Sequence, residues 1–258
     1  MSIKKFLACG LSLISFSGFA TAKLFSKKIK MSRVLWVVRH AEREDNINSN
    51  WRKTANPHKL KSDNSPLSSR GHQQAKELAA RFANVHIDHI FASPFERTVE
   101  TATAIASEIK IPIKLEPGLC EALYMCEEPP SFEEPEALKS RFNLIDTSYK
   151  PIFKKPMPKE GMGDSACVGR LQKTIEGICE KCEDAKSIVL VSHASPIGAI
   201  HEVLVNKWTY VGQATVTKFV ETEKGSKETK FWSKQKQFCL EYSANADHLS
   251  NKSNLRPY

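Results

Sequence analysis

Apolar positions fall along this chain in two alternating rhythms. Short runs such as Val37-Val38, His89-Ile90-Phe91-Ala92, Ile111-Pro112-Ile113 and Ser187 to Ser192 have the length and continuity of buried strands. Between them the spacing turns helical. Ala75, Leu78, Ala79 and Phe82 form an i, i+3, i+4, i+7 stripe that opens just after Gly71, Thr98 to Ile109 is rich in alanine, and Cys167 to Cys182 repeats the pattern. Strands alternating with helices predict βαβ units, and so a three-layer α/β/α fold around a mostly parallel sheet.

Residues 122–163 break this rhythm, because Pro129, Pro130, Pro135, Pro151, Pro156 and Pro158 interrupt any long element. The stretch is expected to form a cap insertion over the site. After Tyr210 the pattern becomes β-rich in Ala214 to Glu221 and Glu228 to Ser233, on either side of Lys224-Gly225, which predicts a C-terminal β-hairpin. Residues 243–258 carry few apolar side chains and are expected to be disordered. With 258 residues, 41% of them apolar, the chain can bury one large core, so residues 33–242 are expected to be a single domain with an insertion.

The N-terminus carries a different signal. Lys4 and Lys5 precede a mostly apolar run from Phe6 to Ala20, and Ala20-Thr21-Ala22 fits a small-x-small cleavage site; residues 1–22 therefore read as a signal peptide, followed by a basic linker over 23–32. The run is too short and too serine-rich for a stable membrane span. A secreted chain is the expectation that follows, and only then would the sequon Asn251-Lys252-Ser253 be usable. The alternative is a cytoplasmic protein whose folded domain begins near Met31. Cleavage would leave six of the seven cysteines, which are not arranged as a dense disulfide framework. Cys179-x-x-Cys182 lies within a helical pattern and reads as packing rather than redox or metal chemistry.

The net charge of +9 would suit nucleic acid or an anionic membrane, but the lysines are scattered through 23–30, 150–159 and 224–236 without interleaved aromatics. No nucleic-acid partner is expected. A positive surface that attracts phosphorylated molecules is the simpler reading. A dinucleotide fingerprint, a Walker loop and zinc-ligand spacing are all missing from the sequence, so neither a cofactor nor a metal is expected. The oligomeric state stays open, a homodimer included.

The candidate chemistry lies where strand-like runs end. Val37-Val38-Arg39-His40-Ala41-Glu42-Arg43 and Leu190-Val191-Ser192-His193-Ala194-Ser195 each deliver a histidine to a C-terminal strand end, where open α/β sheets hold their ligands. Arg39 and Arg43 bracket the first histidine, which suits an anion such as phosphate gripped by planar guanidinium groups. Ser93-Pro94-Phe95-Glu96-Arg97-Thr98 brings a third arginine to an equivalent edge, and Leu115-Glu116-Pro117-Gly118-Leu119-Cys120-Glu121 ends in a carboxylate able to protonate a leaving group. Any one such histidine is more often structural than catalytic; several in order change the balance.

These motifs, with Pro66-Leu67-Ser68-Ser69-Arg70-Gly71-His72-Gln73-Gln74-Ala75 between them, occur in the order found in the histidine phosphatase superfamily, whose phosphoglycerate-mutase-like branch the chain resembles from Arg33 to Val220. Arg-His-x-Glu-Arg, Glu-Pro-Gly-Leu-x-Glu and Ser-His-Ala-Ser are most similar to the phosphatase domains of the suppressor of T-cell signalling proteins and the ecdysteroid-phosphate phosphatases. Those relatives are largely cytosolic, against the signal-peptide reading. The resemblance implies a metal-independent phosphomonoester hydrolase in which His40 accepts the phosphoryl group. Arg39, Arg43, Arg97 and His193 would surround that group, and Glu121 would exchange protons with the leaving oxygen and with water. Phosphotyrosine and steroid or aryl phosphates are the substrates it suggests. Glu42 is expected to orient an arginine, and Ser93 and Ser195 to add hydroxyl hydrogen bonds. Ala41 departs from the glycine usual after the first histidine, which would strain the backbone if φ there were positive. A phosphoglycerate-type mutase and a non-catalytic phospholigand-binding module are the competing functions. The acidic run Glu127-Glu128 disfavours the first, and intact His40 and Glu121 disfavour the second.

Overall fold

The computed structural model describes residues 32–222 and 237–256. The expected signal peptide, nearly all of the basic linker and the segment 228–233 lie outside them. In chain order the elements are β1 (Val34–Arg39), α1 (Trp51–Thr54), α2 (Ser69–Phe82), β2 (His89–Ala92), α3 (Glu96–Ile109), β3 (Ile113–Leu115), α4 (Pro135–Lys139), α5 (Val168–Lys181), β4 (Ser187–Ser192), α6 (Ala194–Val205), β5 (Val216–Thr222) and β6 (Gln237–Asn245). Among the described residues the strands form one sheet in the order β3-β2-β4-β1-β5-β6. The first four run parallel, and β5 and β6 close the edge antiparallel.

Strand alternation divides the core into two layers. Leu35, Val37, Ile188, Leu190 and Phe219 face α5 and α6, whose Leu171, Ile175, Ile178, Ile197 and Ile200 fill that side. Val38, Ile90, Val189, Val191 and Val216 face α2 and α3, where Leu78, Phe82, Val99 and Ile105 pack. The three layers follow from this division, and β4, buried along its whole length, is the strand that shows it most clearly. The α2 stripe read from the sequence is buried at all four positions.

The cap region 122–163 holds α4, a short 3-10 turn at Leu123–Met125 and otherwise irregular chain. Its Phe132 packs on Phe95 and Cys120, with Leu123, Cys126 and Met157 alongside. Cys179 and Cys182 are core residues, as their helical spacing suggested. No helix among the described residues is long and apolar enough to cross a membrane.

The second hairpin strand among the described residues is β6, antiparallel to β5, while the expected 228–233 lies outside them. One expectation changes. The tail expected to be disordered from Ser243 is instead placed. β6 runs to Asn245, Leu249 is buried against Ala41, Leu67, Ala75 and Ala214, and Ser250 bonds Glu77. One buried leucine, backbone bonds and side-chain bonds from His248, Ser250 and Arg256 hold this segment, and composition does not register such long-range contacts.

Candidate active site

Because β1 and β4 are parallel and in register, with Arg39 opposite Ser192, the residues that follow them emerge side by side. The His40 amide donates to the Ser192 carbonyl at 3.0 Å, and the rings of His40 and His193 lie 5.3 Å apart. His193 is the N-cap residue of α6, and Arg97 lies in the first turn of α3 just beyond β2, so two helix N-termini add their positive ends to the same sheet edge.

Both imidazoles are buried. His40 Nδ1 lies 2.8 Å from the Ala41 carbonyl, an acceptor, so Nδ1 carries the proton and Nε2 keeps its lone pair. Burial, reinforced by Arg97, Arg39 and Arg43, pushes the His40 pKa well below its ordinary value, and the ring is neutral. His193 is pushed down by burial and then by Arg97, with His40, Arg43 and Arg39 adding. Its Nε2 is 2.8 Å from Ser93 Oγ, while Nδ1 is buried without a hydrogen-bond partner.

The three arginines are held in different ways. Arg39 donates from Nη1 to the carbonyls of Val211, at 2.6 Å, and of Arg256. Arg97 donates to the Asp63 carbonyl at 2.9 Å and lies 4.8 Å from the centre of the Phe95 ring, which itself packs edge-on against His193. In both, Nε is buried and unpartnered. Burial lowers each of these guanidinium pKa values to about 10, and both stay cationic at neutral pH. Arg43 is gripped bidentately by Asp45, with Nε to Oδ1 at 2.7 Å and Nη2 to Oδ2.

Glu121 reaches the site from the loop after β3 and accepts a bond from the Ala122 amide at 3.0 Å. Two side chains that the sequence did not single out shape this loop. The buried Arg170 donates to the carbonyls of Gly118, Cys120 and Glu121 and pairs with Glu160. Glu116 accepts from the amides of Gly118, Ile152 and Phe153. Ser192 Oγ then ties Leu119 to the end of β4 at 2.7 Å. Arg170 lies within a helical pattern and Glu116 beside Glu121, but long-range contact is not encoded in either local pattern.

Glu42 orients an arginine, as expected: its buried carboxylate accepts from Arg70 at 3.1 Å and from Ser68 Oγ at 2.8 Å. Ser68 Oγ also caps α2 at the Gly71 amide. A Cβ on Gly71 would stand 2.1 Å from the Glu42 carbonyl oxygen, which accounts for the glycine. The Ser195 hydroxyl donates to Asp164 at 2.9 Å. Ala41 does not have positive φ; its methyl is buried in a small apolar cluster and its amide donates to Thr101 Oγ1. The strain that alanine could have caused there is absent.

The sheet edge thus gathers His40, His193, Arg39, Arg43, Arg97 and Glu121. Among the described residues, no cluster of three or more His, Cys, Asp or Glu side chains is placed to hold a metal ion. The family model of the histidine phosphatase superfamily (branch 1) matches residues 35–232. The chain belongs to this superfamily. Among other superfamily members, the ecdysteroid-phosphate phosphatase of Drosophila melanogaster is 27% identical over 205 residues, 64% of this chain and 26% of that protein. The adenosylcobalamin/alpha-ribazole phosphatase of Escherichia coli (strain K12) is 30% identical over 159 residues, 62% of this chain and 72% of that protein. The chain spans about a quarter of the length of the insect relative. A crystal structure of the ecdysone phosphate phosphatase from Bombyx mori in complex with tungstate superposes with a TM-score of 0.56 at 21% identity, covering 77% of this chain and 97% of the other, and shows the shared fold.

Proposed function

We propose that this protein hydrolyses phosphomonoesters without a metal, through a phosphohistidine on His40. One observation carries the proposal: three buried donor positions, Arg39 Nε, Arg97 Nε and His193 Nδ1, lack partners beside a neutral His40 whose Nδ1 is already committed to a carbonyl. Unpaired buried polar atoms each cost about 1–3 kcal/mol, and a phosphoryl group is the anion whose several oxygens would satisfy all three. The His193 tautomer that donates from Nδ1 has Nε2 accepting from Ser93 Oγ, which fits the observed contact.

In the first step the His40 Nε2 lone pair attacks phosphorus in line and the ester P–O bond breaks. Glu121 gives its proton to the departing oxygen. In the second, Glu121 takes a proton from water as the water oxygen attacks phosphorus. The N–P bond breaks, inorganic phosphate leaves, and neutral His40 is restored. Arg39, Arg43 and Arg97 neutralise the equatorial oxygens throughout, which supports a reaction that needs no divalent cation.

In the cap a cleft of about 510 Å³ is lined by Leu123, Tyr124, Met157 and Met162 beside Glu127, Glu128, Lys159 and Glu160, so apolar and acidic groups outweigh a single lysine, which suits an uncharged leaving group with some apolar surface better than a second anion. Aryl and steroid phosphates, including phosphotyrosine, are the class this supports. Two measurements test the proposal. Hydrolysis of p-nitrophenyl phosphate should persist in excess chelator, and rapid quench with ³²P-labelled substrate should trap acid-labile label on His40. Activity lost to EDTA and restored by magnesium or zinc, or label on another residue, would overturn it.

A further inference from the structure

We propose that the C-terminal segment 246–256 is a working part of the phosphate site, with the backbone of Arg256 as a positioning element for Arg39; this rests on the function proposed above. The Arg256 carbonyl is one of the two acceptors that hold Arg39 Nη1. The Arg256 guanidinium donates in turn to the Asn46 carbonyl at 2.9 Å, anchoring the segment on the loop that follows Arg43 and Asp45. Just upstream, the Leu255 carbonyl accepts from the Gln213 amide at 2.7 Å, and a Cβ on Gly212 would stand 2.8 Å from the Leu255 side chain. The 211–214 loop, whose Val211 carbonyl is the other Arg39 acceptor, is therefore pressed against the segment at van der Waals distance.

The remaining contacts reach the His40 turn. Ala214 donates its amide to the His40 carbonyl at 3.2 Å and accepts from His248 Nε2 at 2.9 Å. Leu249 is buried in the same small cluster as Ala41. Arg70, whose Nη1 holds Glu42, donates from Nη2 to the Ser253 carbonyl. The segment thus meets the site at Arg39, behind His40 and behind Glu42.

Two carbonyls on one nitrogen fix the plane of the Arg39 guanidinium, so that the unpartnered Nε edge is held in one orientation. A guanidinium oriented by the protein itself loses little rotational freedom when an anion binds. Arg256 also brings a second positive charge close to Arg39, where its repulsion acts on the Arg39 pKa after burial, Glu121 and Arg43. Removing the segment's end should therefore weaken phosphate binding far more than it slows the chemical step.

The test is a chain that ends at Asn254, beside Arg256→Ala in the full chain and each change repeated in an Arg39→Lys background. For p-nitrophenyl phosphate, KM in the shortened chain should rise about tenfold, the effect of one charge-assisted hydrogen bond, with kcat changed less than about threefold. The dissociation constant for inorganic phosphate, measured by calorimetry, should rise in parallel. Arg256→Ala, which loosens the anchor but keeps the carbonyl, should give a smaller change in the same direction. In the Arg39→Lys background neither change should add further loss, because the partner has gone. Unchanged KM and phosphate affinity in folded protein, or full additivity with Arg39→Lys, would overturn the proposal. If the shortened chain does not fold, Arg256→Ala and its cycle with Arg39→Lys decide the matter alone. Wild-type protein that neither binds phosphate nor turns over would refute the function itself, a result distinct from failure of the positioning role.

Discussion

The site has two halves of different construction. His40, Arg39 and His193 stand at the ends of β1 and β4, where parallel pairing and a buried sheet set their spacing before any side chain is considered. Glu121, Arg43 and the acceptors of Arg39 come from loops, and their positions depend on individual polar partners: Arg170 and Glu116 under Glu121, Asp45 on Arg43, Arg256 on Arg39. The sheet half supplies the group proposed to form the covalent bond, which a change of one side chain removes outright. The loop half supplies the carboxylate proposed to transfer protons and the charge placed around it, both of which can be weakened by degrees.

The largest expected effect belongs to the sheet half. His40→Ala should lower kcat for p-nitrophenyl phosphate by about 10⁴-fold or more and abolish the trapped phosphoenzyme, because no other group replaces the covalent bond. Glu121→Ala should divide substrates by leaving group. It should slow alkyl phosphates by roughly 10²- to 10⁴-fold and nitrophenyl phosphate by much less, since nitrophenolate departs without a proton. Equal slowing of both would remove Glu121 from the role of acid and point to Glu42.

Arg170→Met tests whether the loop half depends on its buried pair. Both side chains are almost wholly inaccessible, at 1% for Arg170 and 5% for Glu160, and removing one partner from a buried ion pair costs about 3–5 kcal/mol. Chemical denaturation should show that loss. Arg170→Met with Glu160→Gln should recover part of it, with turnover of alkyl phosphates, whose poor leaving groups depend on Glu121, still impaired.

The smallest effect is a slope. His40 and His193 are held neutral in the folded protein, whereas an unfolded imidazole titrates near ~6.5. The unfolded chain therefore binds protons that the folded chain refuses, so their contribution to stability is complete above about pH 6.5 and is lost as the pH falls below it. The melting temperature should drop between pH 7 and pH 5, and His40→Gln should flatten the drop. His72, His89, His201 and His248 shift in the same direction, so the slope should shrink without vanishing.

The same division explains what could be read in the sequence. Arg39, His40 and His193 were legible because strand ends and their registers follow from local apolar runs, and Arg97 and Glu121 because motifs carry them to the same edge. Asp45 was not, since a carboxylate two residues from an arginine is ordinary surface composition. The 246–256 segment was misread as disorder: its hold on the domain consists of Leu249, of backbone groups at Ser253, Leu255 and Arg256, and of single side-chain bonds from His248, Ser250 and Arg256, and long-range bonding of this kind has no signature in residue type. Whether Ala41 strains the chain was not legible, because the sequence carries no φ, and the observed backbone there does not have positive φ.

Arg170 has a consequence for how such a protein can change over generations. One side chain of α5 clasps three carbonyls of a single short stretch, at Gly118, Cys120 and Glu121. The chain downstream can then be resurfaced without dragging Glu121 along, provided that Glu160 and the amides of Ile152 and Phe153 stay in reach. Inheritance can treat the roof as interchangeable and the hearth as fixed, so a new leaving group can be tried without first rebuilding the reaction.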